Sequence, residues 1–167
     1  MIDKAKLTII SCIDGDGFPV SKAMLAPRER EGIKAFWFST NTSSNKVKCF
    51  RSNPNASIYF VDKRFFRGVS LSGTVEVFET PEAKERIWHS EDTLYYHQGV
   101  TDPDYCVLKF TAAKGRYYSN FKSEDFTVWP DKMNAAQTAG CKPLFSGSVP
   151  NGEGFRPRIK RHRRRRG

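Results

Sequence analysis

Arg67-Gly68-Val69-Ser70-Leu71-Ser72-Gly73-Thr74-Val75-Glu76-Val77-Phe78-Glu79 alternates with a period of two. Val69, Leu71, Gly73, Val75 and Val77 fall on one side; Ser70, Ser72, Thr74 and Glu76 fall on the other. Side chains of an extended chain point alternately to opposite faces, so the pattern predicts a long strand with one face inward. Gly73, in its middle, marks a bend or bulge of the kind that barrel corners need.

Toward the C-terminus, Thr80 to His89 predicts a helix. Thr80 can cap it, Pro81 suits the first helical position, and Glu82 complements the positive end of the dipole. Trp88 and His89 read most simply as the end of this surface helix. Tyr105 to Ala112 and Arg116 to Asn120 read as two strands separated by Ala113-Lys114-Gly115, and Phe126 to Trp129 as a short one. Toward the N-terminus, Ala56 to Asp62 is a strand, and Pro27 to Gly32 a charged loop. Lys6 to Ile13 and Phe18 to Leu25 flank Asp14-Gly15-Asp16-Gly17, a strong hairpin signal. About seven strands, short turns and two helices predict a mainly β fold, a small antiparallel barrel with a few short helices.

One strand is different. Lys34 to Thr40 contains the unbroken apolar run Ala35-Phe36-Trp37-Phe38 and leads into Ser39-Thr40-Asn41-Thr42-Ser43-Ser44-Asn45-Lys46. A short helix over Ser43 to Ser52 follows, stopped by Asn53-Pro54. The first turn of a helix has N–H groups without partners and the positive end of a dipole. Hydroxyls and a lysine added there make a ready anion site, most naturally for phosphate. The same run could serve only to cap the helix. Lys22, taken alone, is a solvent-facing strand residue, and Phe36 and Trp37 are core.

The chain has 167 residues and 38% hydrophobic content, enough for one ordinary domain. Its formal charge of +10 looks like a nucleic-acid signal until it is localised. Residues 156–167 hold eight of the 28 Lys and Arg and no acid, leaving 20 against 18 acids in the body. The nearly neutral body argues against nucleic acid as a partner. We read residues 1–130 as the domain, 131–155 as a C-terminal extension and 156–167 as a disordered basic tail. No run approaches the roughly 20 apolar residues of a membrane helix, and Met1-Ile2-Asp3-Lys4 has no signal-peptide pattern. Cys12, Cys49, Cys106 and Cys141 are widely spaced, as reduced thiols of a cytoplasmic protein would be. Three histidines without ligand spacing predict no metal site.

Taken together, five motifs resemble the FMN-binding split barrels of the pyridoxamine 5′-phosphate oxidase-like superfamily, in its bacterial general stress protein branch. They are Asp14 to Pro19; Ser21-Lys22-Ala23-Met24; Phe36 to Thr40; Ser43 to Val47 with Asn53-Pro54; and Val69 to Glu76 followed by Asp102-Pro103-Asp104-Tyr105. The likeness covers about residues 5–120. It implies a split β-barrel that forms a homodimer, with FMN in the groove between subunits. Carried over to this chain, it implies that Lys22 meets the phosphate or ribityl chain and that the backbone of Ala23 and Met24 runs beside the flavin ring. Ser39 and Thr40 would contact the cofactor, and Ser44, Asn45 and Lys46 would grip the phosphate.

Two departures stand out. Asn45 replaces an arginine common among relatives. The Arg-x-His element of the true oxidases is answered only by Arg116-Tyr117-Tyr118, so pyridoxamine phosphate is not the expected substrate. Some members bind a deazaflavin, which nothing in the sequence excludes, or haem, which the absence of histidine from the strand motifs makes less attractive. No acid, base or nucleophile stands out as catalytic. The expectation is an FMN-dependent oxidoreductase of unread substrate. A non-catalytic flavin-binding stress-response protein and a nucleic-acid-binding small barrel are the alternatives. Tyr117, Tyr118 and Trp129 could reach a neighbouring subunit's flavin or close the barrel's end.

Overall fold

The computed structural model describes residues 1–62 and 65–128. The expectations for 129–167, including Trp129, Cys141, the extension and the basic tail, lie outside them. Among the described residues eight strands form one antiparallel sheet: β1 (Leu7–Ile13), β2 (Pro19–Leu25), β3 (Glu29–Glu31), β4 (Ala35–Asn41), β5 (Asn55–Asp62), β6 (Arg67–Phe78), β7 (Tyr105–Ser119) and β8 (Lys122–Thr127). Two α-helices, α1 (Asn45–Ser52) and α2 (Pro81–Ile87), accompany them. The strand order is β2-β1-β5-β6-β7-β4-β3, with β8 on β7. The mainly β split-barrel class expected from the sequence is the class observed.

The alternating stretch is β6, and its inward face is as read: Val69, Leu71 and Val75 are buried. The register slips between Ser72 and Gly73, which is a bulge. Glycine is required there, because a Cβ on Gly73 would sit 1.9 Å from the Thr111 carbonyl oxygen.

Three readings need correction. The two strands expected at 105–112 and 116–120 are one strand, β7. Pairing with β6 on both sides of the bulge, where Ala113 is the residue skipped, carries the chain through Ala113-Lys114-Gly115, while the other edge of β7 changes partner from β4 to β8. Second, the charged loop after Pro27 contains β3, which pairs Glu29, Arg30 and Glu31 with Trp37, Phe36 and Ala35. Its charges stay on an edge, where Arg86 of α2 bonds both oxygens of Glu29 at 2.8 and 2.5 Å. Third, Thr80 occupies the N-cap position of α2 but makes no side-chain cap bond.

There are two cores. Inside the barrel, Ile10, Phe36, Phe38, Phe60, Leu71, Leu108 and Phe110 pack with Val47 and Phe50 of α1. The other faces of β4 and β7 give Ala35, Trp37, Tyr105 and Val107 to a second cluster, closed by Ile87 and Tyr96. The apolar run of β4 is unbroken because both of its faces are covered. Trp88 does not merely end a surface helix; it meets the Tyr105 ring edge-on at 5.2 Å. Burial and the neighbouring Cys49 push the Cys12 thiol up to about 11, and burial also raises Cys106, so these are inert thiols. Among the described residues no helix is long and apolar enough to cross a membrane.

Candidate functional site

β2 pairs with β1 along its length and faces the end of β4 across a cleft of about 170 Å³. Ala23, Met24, Leu25, Ala26 and Arg28 line one wall, and Phe38, Ser39, Thr40, Asn41 and Lys46 the other. Asp92, Tyr95 and Tyr96 close it from the connection between α2 and β7. Of the residues singled out in the sequence, Ala23, Met24, Ser39, Thr40 and Lys46 line the cleft; Lys22, Ser44 and Asn45 do not.

Lys46 sits at the start of α1. It is partly buried, and its amine reaches only the Ser44 hydroxyl, at 3.3 Å. Burial holds the amine below the usual lysine range, and the charge of Lys22 adds to this. Lys22 is exposed on β2, and its mutual repulsion with Lys46 places two cations in one neighbourhood. Among the described residues Lys46 has no acidic partner. Ser44 is the N-cap residue, yet its hydroxyl makes no capping bond. Asn45 is exposed on the first turn.

The hydroxyl-rich loop is fixed from the far side of the sheet's connections. Asp104 accepts from the Asn41 amide and the Ser43 N–H, both at 2.8 Å, and its carbonyl accepts from Thr42 at 2.9 Å. The Asn41 and Ser43 bonds hold the Asp104 carboxyl below the usual range. Asp102, buried, accepts from Gln98 and Asp104 N–H groups and so shapes the turn that presents Asp104. The motif Asp102-Pro103-Asp104 thus shapes the loop.

The other end of the cleft escaped the sequence reading. Arg28 forms an ion pair with Asp92 and donates to His89 Nδ1 at 3.2 Å. Its N–H also bonds the Trp37 carbonyl at 2.8 Å. Arg28 and Asp92 stand 64 residues apart in the chain, and no local spacing announces such a pair. The only signal was an aromatic pair, Tyr95-Tyr96, in a polar connection.

A larger groove of about 630 Å³ lies by β6, β7 and β8, lined by Ser70, Ser72, Lys114, Arg116, Phe126 and neighbours. It holds none of the predicted residues. Arg116 is engaged there with Ser123 at 2.7 Å and Asp125 at 3.4 Å.

Comparison with known proteins places the fold among relatives. The family model for pyridoxamine 5′-phosphate oxidase matches residues 1–119. A protein from Clostridium acetobutylicum related to general stress protein 26 of Bacillus subtilis, of the pyridoxine phosphate oxidase family, is 36% identical, with a TM-score of 0.71 over 76% of this chain and 89% of that one. General stress protein 26 from Bacillus anthracis is 18% identical, with a TM-score of 0.62 over 76% of this chain and 92% of that one, and shares the fold. So does a haem-binding protein from Mycobacterium smegmatis, 17% identical, with a TM-score of 0.60 over 75% of this chain and 54% of that one. No curated protein matches the chain significantly.

Proposed function

Because the chain belongs to the pyridoxamine 5′-phosphate oxidase family, we propose that it is an FMN-binding flavoprotein, an oxidoreductase whose substrate is not pyridoxamine phosphate. One observation carries this reading: Lys46 is a partly buried cation with no acidic partner among the described residues, repelled by a second lysine beside the same cleft. A partly desolvated cation of this kind is costly unless an anion joins it. A phosphate would supply the missing charge. Ser44, Thr40 and the Asn45 and Lys46 N–H groups stand ready as donors, while the Val47 N–H is taken by the Ser44 carbonyl. On the facing wall, Ala23 carries only a methyl group, so a flat ring can approach the β2 backbone. A bound flavin carries hydride or electrons, and the protein's part is to hold it, orient it and keep water away.

Among the described residues the only carboxylate lining the cleft, Asp92, is paired with Arg28, so no free carboxylate competes for a catalytic role. This favours chemistry in which positioning dominates. Arg116 stands in the β6–β8 groove, outside the cleft, which supports a substrate other than pyridoxamine phosphate. A deazaflavin presents the same phosphate chemistry. Haem would find no histidine among the described lining residues.

The proposed working unit is a homodimer. A cleft of about 170 Å³ falls short of the roughly 300 Å³ at the small end of ligand sites. Beside it, the outer sheet face is bare: Leu25 pairs with Leu7, Ala23 with Ile9 and Ile9 with Tyr59. Leu7 and Leu25 are 56% and 57% exposed. A second copy on that face would cover apolar surface that a lone chain leaves wet.

The test is an absorption spectrum of the purified full chain, then titration with FMN and with a deazaflavin cofactor, and sizing in solution. The expected result is a yellow dimer whose flavin is bleached by NAD(P)H or another donor. Yellow protein that no donor reduces would leave flavin binding and remove the oxidoreductase. A chain that takes up no flavin would remove both.

A further inference from the structure

Tyr95 and Tyr96 are neighbours with opposite fates. Tyr96 is 5% exposed and packs its ring against Tyr105 at 4.7 Å and Trp88 at 6.3 Å. Tyr95 is 65% exposed, yet it lines the cleft. A large aromatic about two-thirds exposed at the mouth of the cleft, beside one anchored in a core, leaves its ring free to meet a planar group placed there.

Its place is set by Asp92, which is 1% exposed. The Asp92 carboxylate takes the Arg28 guanidinium on one oxygen and the His89 N–H, at 3.2 Å, on the other. Its carbonyl accepts the N–H groups of both Tyr95 and Tyr96, each at 2.9 Å. A charged residue this buried orders the short helical turn Ser90–Leu94 from both sides. Through Arg28 it ties that turn to the connection leaving β2.

β4 measures the distance between the two ends. Arg28 bonds Trp37, while Asn41, the strand's last residue, leads into the turn before Lys46. Trp37 and Asn41 are four residues of strand apart, roughly 13 Å at about 3.3 Å each. β2 runs the same course, from Lys22 near Lys46 to the connection bearing Arg28. An elongated ligand whose phosphate meets Lys46 therefore extends its other end toward Tyr95.

We propose that Tyr95 is the aromatic contact for the flat heteroaromatic ring of the bound cofactor, and that Arg28 and Asp92 are the positioning residues that hold it there. This rests on the flavin reading above. The contact selects a planar ring at the end of the cleft away from the phosphate site.

The experiment uses the full chain loaded with FMN and reads flavin fluorescence, the visible absorption spectrum and FMN affinity. In the wild type, stacking on a phenol quenches flavin emission. Tyr95→Ala is expected to raise emission toward that of free FMN and to lower affinity about two- to tenfold. Tyr95→Phe is expected to keep affinity and most of the spectral shift. Asp92→Asn is expected to fall between wild type and Tyr95→Ala in emission. A Tyr95→Ala protein whose bound flavin has the wild-type emission and spectrum overturns this inference alone. A wild-type chain that binds no FMN overturns the flavin reading and this inference with it.

Discussion

The two ends of the cleft handle charge in opposite ways. At one end, Lys46 and Lys22 repel each other, and among the described residues Lys46 finds only a serine hydroxyl. At the other, the Arg28–Asp92 pair is closed on itself, with His89 accepting the second guanidinium contact. An unpaired, partly buried charge costs stability and is kept for something outside the chain. A paired buried charge, flanked by backbone bonds, fixes geometry. The first end invites a ligand; the second builds the wall against which the ligand is placed.

The comparison breaks most visibly through Asp92→Ala. Removing one partner of a buried pair leaves Arg28 uncompensated, and the expected loss is about 3–5 kcal/mol of unfolding free energy, read by denaturant melts. The same melt on Lys46→Ala should show no loss, or a small gain, because a desolvated cation disappears. If Asp92→Ala melts like the wild type, the closed pair is not a structural tether.

A smaller effect is expected from Asp104→Ala. It frees the Asn41 side chain and the Ser43 N–H, so the loop before α1 loosens. About 1 kcal/mol of lost order should lower FMN affinity about fivefold without the large destabilisation of Asp92→Ala. Unchanged affinity by equilibrium dialysis would show that the loop needs no pin.

The gentlest test is pH. Lys46 is held below the usual lysine range by burial, then by Lys22. Its protonated form is the one that attracts a phosphate, so binding takes up protons. FMN affinity should fall as pH rises, and the fall should begin below the pH at which an exposed lysine titrates. The stability sign is opposite. The unfolded chain holds this proton more firmly, so the Lys46 contribution to stability improves as pH rises from the depressed pKa toward the ordinary value. Lys46→Arg should flatten the binding profile, and an unflattened profile would assign the dependence to another group.

How far the sequence was legible follows the same division. β6 could be read to within one residue because alternation and Gly73 are local signals. The short helix expected over Ser43 to Ser52 and observed over Asn45–Ser52 was legible for the same reason. The join of two expected strands into β7 was not, because it depends on β6 supplying partners across Lys114 and Gly115. Arg28, Asp92 and Tyr95 were invisible as a unit, since tertiary packing alone brings residues 64 apart into one ion pair. Trp88 was misread as surface for a related reason: the Tyr105 ring that covers it comes from another element.

The account stands most directly on one paired titration of the full chain: FMN and riboflavin, each against wild type and Lys46→Ala. Loss of a charge-assisted contact of about 1.5–3 kcal/mol should weaken FMN about ten- to hundredfold and leave riboflavin, which has no phosphate, nearly unchanged. Equal affinities of the two proteins for FMN would contradict the phosphate site at Lys46, and with it the flavin reading built on that lysine.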